Sequence, residues 1–140
     1  MNTADYLLEA GYDEDVAIIT DRSSHTYSDL RVATQQIARK LLSLGVSGGD
    51  RVGLLAANSL FWVATYLATM KIGAISVPFS TTLTAEELAE SEHFVECCVL
   101  CLQRRYQTRM AKGLRADLPL VVDGEVLGGD VPSSPEVESV

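Results

Sequence analysis

Short apolar segments alternate with helical segments along this chain, and this alternation constrains the fold more than any other feature of the sequence. The mostly apolar runs lie at residues 51–57, 74–77, 95–102 and 118–122. Segments with helical spacing of apolar residues separate them. An apolar run of this length is typical of a strand that is covered on both faces, as in a parallel sheet. The sequence therefore predicts an α/β fold with a largely parallel sheet and flanking helices.

A hairpin and a long helix are predicted before the first of these runs. The β-branched segment Val16 to Thr20 and the segment His25 to Tyr27 are separated by a polar turn, which predicts a pair of short strands. Ser28 is predicted as the N-cap of the helix that follows, with Asp29 in its first turn, where the helix dipole favours an acid. Gly45 is predicted to end this helix.

The next helix is predicted over residues 60–72, with Asn58 or Ser59 as its cap. It is apolar nearly all round, and such helices are usually buried. Its most apolar part, Leu60 to Met70, is shorter than the roughly 20 residues that a membrane span requires. We therefore expect no membrane span.

The second half of the chain repeats the alternation. Thr84 and Glu87 have the spacing of a capping box, which predicts a helix that continues to about His93. A strand over 95–102, a basic helix over 104–114 and a last strand over 118–122 complete the pattern.

Charge distinguishes the end of the chain from the rest. The chain has 19 acidic against 11 basic residues, for a net charge of −8, which argues against a nucleic-acid partner. Residues 123–140 contain five of the acids and no base. We predict a partial α/β subdomain over residues 1–122 and an acidic linker-like tail over 123–140, with residues 128–135 poorly ordered.

The number and spacing of the cysteines indicate a reducing cellular compartment and not a disulfide framework. Cys97, Cys98 and Cys101 are odd in number and crowded into one apolar run, which suits a reducing cytosol. The amino terminus has neither the basic nor the apolar region of a secretory signal. The expected location is the cytoplasm.

The same cysteines, together with His93, are the only soft metal ligands that lie close together in the sequence. A tetrahedral zinc site requires such ligands to converge. If residues 95–102 form a strand, alternation sends Cys97 and Cys98 to opposite faces. We therefore predict that the cysteines are small buried hydrophobic residues and that there is no metal site.

No phosphate-binding fingerprint is present. Neither G-x-G-x-x-G nor G-x-x-x-x-G-K-[ST] occurs in the sequence. Gly48 and Gly49 lead into a predicted strand, whereas anion-binding loops usually lead into a helix. The pair is predicted to form an ordinary turn.

A nucleophile and base are suggested only weakly, by Ser23 and Ser24 beside His25, since no acid that would orient the histidine is evident. Dipole complementation and a solvated helix face account for Glu86, Glu87, Glu90 and Glu92. The pair Phe61 and Trp62 is interpreted as core.

Four segments together resemble a known family. Thr26–Leu30 matches T-Y-x-[ED]-L, and Gly45–Val52 matches G-V-x-x-G-D-x-V. Asn58–Trp62 matches N-[ST]-x-x-[FW], and Met70–Pro78 matches [LM]-K-x-G-A-x-x-x-P. In order and spacing these segments resemble the adenylate-forming superfamily of acyl-CoA synthetases, luciferases and peptide-synthetase adenylation domains. The resemblance covers residues 10–122 and implies the first part of the large N-terminal domain.

The resemblance implies an activity for the complete enzyme. Members of the family activate a carboxylic acid with ATP and Mg²⁺ to an acyl-adenylate, and then transfer the acyl group to the thiol of CoA or of a carrier-protein phosphopantetheine. The Ser-, Thr- and Gly-rich phosphate loop, the adenine- and ribose-binding motifs and the catalytic lysine of the family do not occur in this sequence. We therefore assign no catalytic, cofactor-binding or metal-binding residue to this chain.

The leading hypothesis is a fragment or split half of such a ligase, inactive by itself, that self-associates or binds a partner chain with the remaining motifs. The alternative is a non-catalytic α/β interaction or scaffold module derived from a ligase. An unrelated flavodoxin-like nucleotide binder is the third interpretation, weakened by the missing Gly-rich loop.

Overall fold

The computed structural model describes residues 2–20, 22–127, 137 and 139. In chain order the elements are α1 (Thr3–Leu8), β1 (Val16–Ile19), β2 (Ser24–Thr26), α2 (Tyr27–Ser43), β3 (Arg51–Leu55), α3 (Leu60–Lys71), β4 (Ile75–Pro78), α4 (Ala85–Val95), β5 (Val99–Leu102), α5 (Arg104–Met110), a 3-10 turn (Ala111–Gly113), β6 (Leu120–Val122) and α6 (Asp123–Val126). The segment 128–135, predicted to be poorly ordered, lies outside the described residues.

The main sheet has four strands in the order β4-β3-β5-β6, and each neighbouring pair is parallel. Strand β3 lies between β4 and β5, so successive crossovers lead to opposite sides of it. The hairpin β1-β2 forms a separate antiparallel pair, with an irregular register between Val16 and Ile18. The predicted α/β fold, with a parallel sheet and flanking helices, is confirmed.

Both faces of the sheet are covered, as the continuous apolar runs predicted. On one face α1, α2 and α3 contribute residues such as Leu8, Ile37 and Ala64 to a core that also contains Val52 and Leu54. On the other face Leu88 and Met110 pack against Leu55, Leu100 and Leu102. The result is a three-layer unit in which β3 and β5 are the most buried strands.

Helix α2 begins two residues earlier than the sequence predicted. Thr26, not Ser28, is the N-cap, and its side-chain oxygen accepts a hydrogen bond from the Asp29 backbone N–H at 3.2 Å. The Asp29 carboxylate in turn accepts from the Thr26 backbone N–H at 3.0 Å. This reciprocal pair satisfies two amide donors at once, which Ser28 could not do from inside the helix. The predicted end is confirmed, since Gly45 follows the cap with a φ of 85°.

The boundary between α4 and β5 also differs from the prediction. Helix α4 continues to Val95, Glu96 adopts a left-handed conformation with φ 54°, and β5 begins only at Val99. Val95, predicted as strand, is the last residue of the helix, and residues 96–98, also predicted as strand, turn the chain. The Arg51 side chain donates to Val95 O at 2.9 Å, and the Cys98 N–H donates to Arg51 O at 2.9 Å. These bonds direct the chain from the helix into the sheet.

Helix α6 lies beyond the predicted boundary at residue 122. Val126 and Leu127 pack against the core on the side of α2 and α3. In the part of the chain that the structure describes, no helix is both long and apolar enough to cross a lipid bilayer.

Candidate functional site

The point where strand order reverses, between the carboxyl ends of β3 and β5, is where open parallel sheets usually bind ligands. Here the Gln103 side chain occupies this position. Its Oε1 accepts from the Ala57 N–H at 2.9 Å, and its Nε2 lies 3.5 Å from the Ser59 Oγ. Ser59 Oγ also accepts from the Trp62 N–H at 3.1 Å, which caps α3. The polar groups of this crevice therefore bond to one another, which argues against the flavodoxin-like interpretation.

The glycine pair forms a turn, as predicted. Gly49, with φ 85°, donates its N–H to Gly73 O at 3.0 Å, and the Asp50 N–H donates to Ser47 O at 3.1 Å. The Asp50 carboxylate accepts from the Ser47 N–H at 2.9 Å. Three amides of the turn are thus committed to the protein, so the turn does not present the cradle of free N–H groups that an oligophosphate requires.

The cysteines and His93 do not converge. Cys97 and Cys101 are buried with raised thiol pKa values, that of Cys97 to about 11, mainly because burial disfavours the thiolate. Cys98 and His93 are exposed. The prediction that all three cysteines are buried is wrong for Cys98, because it lies in the turn before β5 and not within the strand. Among the described residues no group of His, Cys, Asp and Glu could hold a metal ion.

His25 has polar neighbours on both ring nitrogens. Ser23 Oγ lies 3.2 Å from Nε2, and Asp29 Oδ2 lies 4.0 Å from Nδ1. The second distance is too long for a hydrogen bond, and Asp29 Oδ2 already accepts from the Thr26 N–H. Asp29 is the acid that the sequence left unidentified, but it serves as a helix cap and does not orient the imidazole.

The glutamates of α4 divide into two groups. Glu86, Glu87 and Glu90 are exposed, as predicted for a solvated face. Thr84 Oγ1 accepts from the Glu87 N–H at 3.1 Å, but the Glu87 carboxylate contacts the Thr84 hydroxyl and not its backbone, so the predicted capping box is only half formed.

Glu92 contradicts the prediction, since it is 4% exposed. The Arg115 Nη2 lies 3.1 Å from Glu92 Oε1 and donates to Cys97 O at 2.7 Å. An arginine from the loop before β6 therefore covers the end of α4. This contact joins residues 23 positions apart, which helix periodicity does not reveal.

Of the pair Phe61 and Trp62, interpreted from the sequence as core, only Phe61 is fully part of the core. Phe61 is buried, whereas Trp62 is half-buried and stacks on Tyr66 with a centroid separation of 5.3 Å.

An open pocket of about 510 Å³ lies between the start of α4 and the end of α5. Its lining combines two cationic side chains with three hydroxyls and one carboxylate: Thr82, Leu83, Thr84, Ala85, Glu86, Thr108, Arg109 and Lys112. Arg109 already donates to Thr81 O. The lining has no nucleophile paired with a base, so its chemistry suits binding of a polar or anionic group and not bond cleavage. The sequence showed a basic helix here but did not indicate that it meets the threonine-rich loop.

The sequence of this chain is similar to those of known proteins. The profile described as AMP-binding enzyme matches residues 9–138. Acyl-CoA ligase sidI of Beauveria bassiana is 40% identical over 80 residues, which are 57% of this chain and 14% of that protein. The mitochondrial medium-chain acyl-CoA ligase of Pongo abelii is 31% identical over 104 residues, 74% of this chain and 17% of that protein.

Solved structures agree on the fold. A benzoate CoA ligase from Burkholderia xenovorans superposes with a TM-score of 0.83 at 20% identity, covering 97% of this chain and 30% of that one. The N-terminal domain of FACL13 from Mycobacterium tuberculosis gives 0.79 at 24% identity, covering 99% and 38%. The chain thus spans about a sixth of the length of these two curated relatives, and it has the fold of part of the FACL13 N-terminal domain. It belongs to the AMP-binding enzyme family.

Proposed function

We propose that this chain is the amino-terminal part of an ATP-dependent acyl ligase that activates a fatty or other carboxylic acid as an acyl-adenylate and transfers it to CoA or a carrier-protein thiol. The observation that carries the proposal is the family match over residues 9–138, together with relatives that are named acyl-CoA ligases. Three free thiols favour a reducing compartment, so we also propose a cytoplasmic location.

The chain is proposed to be inactive by itself. The residues present do not fit ATP and Mg²⁺: the Ser47, Gly49 and Asp50 amides of the glycine turn bond within the protein, and the described residues contain no cluster of acidic ligands. The role of these residues is architectural, because they build the four-stranded sheet onto which further elements of the ligase would pack.

Exposed apolar side chains support a partner surface. Ile75 on the edge strand β4 is 50% exposed, and Phe94 near the end of α4 is 89% exposed. Arg51 pairs with Ile75 in the sheet, and its side chain donates to the backbone carbonyl of Val95, the residue after Phe94. A second chain with the remaining ligase motifs, or a second copy of this chain, would cover this apolar surface.

The alternative, a non-catalytic interaction or scaffold module, has one observation in its favour. The described residues cover both faces of the sheet with buried core, as expected of a unit that folds alone. A monodisperse monomer that unfolds cooperatively would favour the module, whereas obligate pairing would favour the split enzyme.

The test is pyrophosphate release with ATP, Mg²⁺ and a panel of carboxylic acids. The purified chain is assayed alone and then with host-cell extract depleted of full-length ligases. We expect no release from the chain alone and release on mixing, with less release when Ile75→Lys replaces the wild-type chain. Pyrophosphate release from the pure chain would contradict the proposed inactivity. No release in either assay would contradict the split-enzyme hypothesis.

A further inference from the structure

Both ends of the described chain meet on the carboxyl-terminal end of α3. The Asn2 side chain donates to Met70 O and Lys71 O, each at 3.2 Å. Its Oδ1 also accepts from the Asp5 N–H at 3.2 Å and so caps α1. Helix α1 buries only Ala4 and Leu8. The docking of α1 therefore depends on a small apolar contact and a few polar groups.

The central polar group is Lys71, whose side chain is 9% exposed. Its Nζ lies 2.9 Å from Asp5 Oδ1 and 3.0 Å from Ser139 Oγ. An ammonium group has three donors, and burying it is costly unless they are bonded. Asp5 supplies one acceptor and Ser139 a second, so the tail residue completes the surroundings of the buried ion pair.

Val137 anchors the same part of the tail on a different helix. Its backbone N–H donates to Gln35 Oε1 on α2 at 2.7 Å, and its side chain packs against the core beside α2 and α3. Residues 137 and 139 thus connect α2 to the junction of α1 and α3. In sequence, Val137 lies 102 residues from Gln35 and Ser139 lies 68 residues from Lys71.

We propose that Val137 and Ser139 form a strap that holds α1 on α3, so that pulling the tail away releases the amino-terminal helix. A helix of six residues does not persist in water without tertiary contacts. Loss of the strap leaves Lys71 with a single side-chain acceptor and weakens the Asp5 contact that fixes α1. Release of α1 exposes Ala4 and Leu8, so the tail controls how much apolar surface this end of the molecule presents.

Hydrogen exchange on the full chain tests the strap. The reporters are the Tyr6 and Glu9 amides, which donate to Asn2 O and Asp5 O. In Ser139→Ala we expect their exchange to accelerate about fivefold, the change that follows from losing one hydrogen bond of ordinary net strength. A chain truncated after Leu127 should show at least as large an acceleration. The Val52 and Leu54 amides of β3 should keep their protection in both.

Ser80→Ala is the matched control, because Ser80 bonds locally to Thr82 on the loop after β4. Like Ser139→Ala, it removes a serine hydroxyl, but it should leave the hydrogen exchange of the α1 amides unchanged. Unaltered protection of α1 in both Ser139→Ala and the truncated chain would overturn the proposal. So would an equal acceleration in Ser80→Ala, because the effect would then not be specific to the strap.

Discussion

At the scale of single residues, the lysine in the segment Met70–Pro78 has a structural role that the sequence resemblance does not explain. Lys71 is the last residue of α3 and forms an ion pair with Asp5 at 2.9 Å. Most lysines remain in water, and a buried one requires a partner. The lysine thus attaches the amino-terminal helix to the sheet-forming unit.

Replacing Lys71 by methionine should lower the free energy of unfolding by about 3 kcal/mol, because Asp5 would remain largely buried without its cation. The measurement is urea denaturation. Adding Asp5→Asn should recover part of the loss, since both charges are then gone. Lys112→Met, at an exposed position, is the control and should change stability by less than about 0.5 kcal/mol. A loss no larger than that of the control would contradict the buried pair.

The pH dependence of stability follows from the carboxylate of Asp5, the partner of Lys71. Hydrogen bonds from Ser139 and Lys71 hold the pKa of Asp5 below its ordinary value of 3.8. A lowered pKa adds stability above the unfolded-state pKa, and this contribution is lost as the pH falls toward the folded-state value. The difference in unfolding free energy between wild type and Asp5→Asn should therefore be constant at neutral pH and shrink below about pH 4. A difference that grows on acidification would contradict this assignment.

The three thiols should differ in reactivity. Cys98 is exposed, whereas Cys97 and Cys101 are buried. Partial desolvation of the sulfur and the nearby Asp50 raise the pKa of Cys98, so its labelling should accelerate as the pH rises through and beyond 9.0. Titration with a disulfide reagent should detect one fast thiol in the native chain and three in denaturant. Cys98→Ser is the control and should abolish the fast phase.

At the scale of helices and strands, local polar pairing decides where α2 begins. Thr26 and Ser28 are both good capping residues by type. Only Thr26 has Asp29 three positions later, and the structure shows both hydrogen bonds of the capping box. The first turn of the helix therefore includes Ser28.

Thr26→Ala should lower the free energy of unfolding by about 1 kcal/mol through loss of the cap. Ser28→Ala should change it by less than about 0.5 kcal/mol, because alanine is tolerated within the helix. Thermal or urea unfolding of the two variants in parallel provides the comparison. A larger loss for Ser28→Ala would indicate that the helix begins where the sequence alone had placed it.

At the scale of the whole molecule, we propose that chains self-associate through the edge strand β4. Its outer side has no partner strand among the described residues, and its first residue, Ile75, is half exposed. An unprotected edge with apolar side chains promotes pairing between chains.

Ile75→Lys should shift the wild-type chain toward monomer, because a charge on an edge strand opposes pairing. Sedimentation velocity over a range of concentrations measures the change. Val32→Lys, on the exposed side of α2, is a control that adds the same charge at another apolar position. A wild-type chain that is monomeric at all concentrations would contradict the predicted self-association.

The sequence by itself determined the fold class, the order of elements and most boundaries, because continuous apolar runs and helical periodicity report burial directly. It also indicated correctly that Gly48 and Gly49 form a turn. Only the tertiary structure decided that Glu92 is buried by Arg115, that Gln103 occupies the crevice at the point where strand order reverses, and that Ser139 completes the surroundings of Lys71. These contacts join residues 23 to 68 positions apart. Local sequence patterns do not predict these contacts, because the partner of a polar side chain depends on how elements distant in sequence pack.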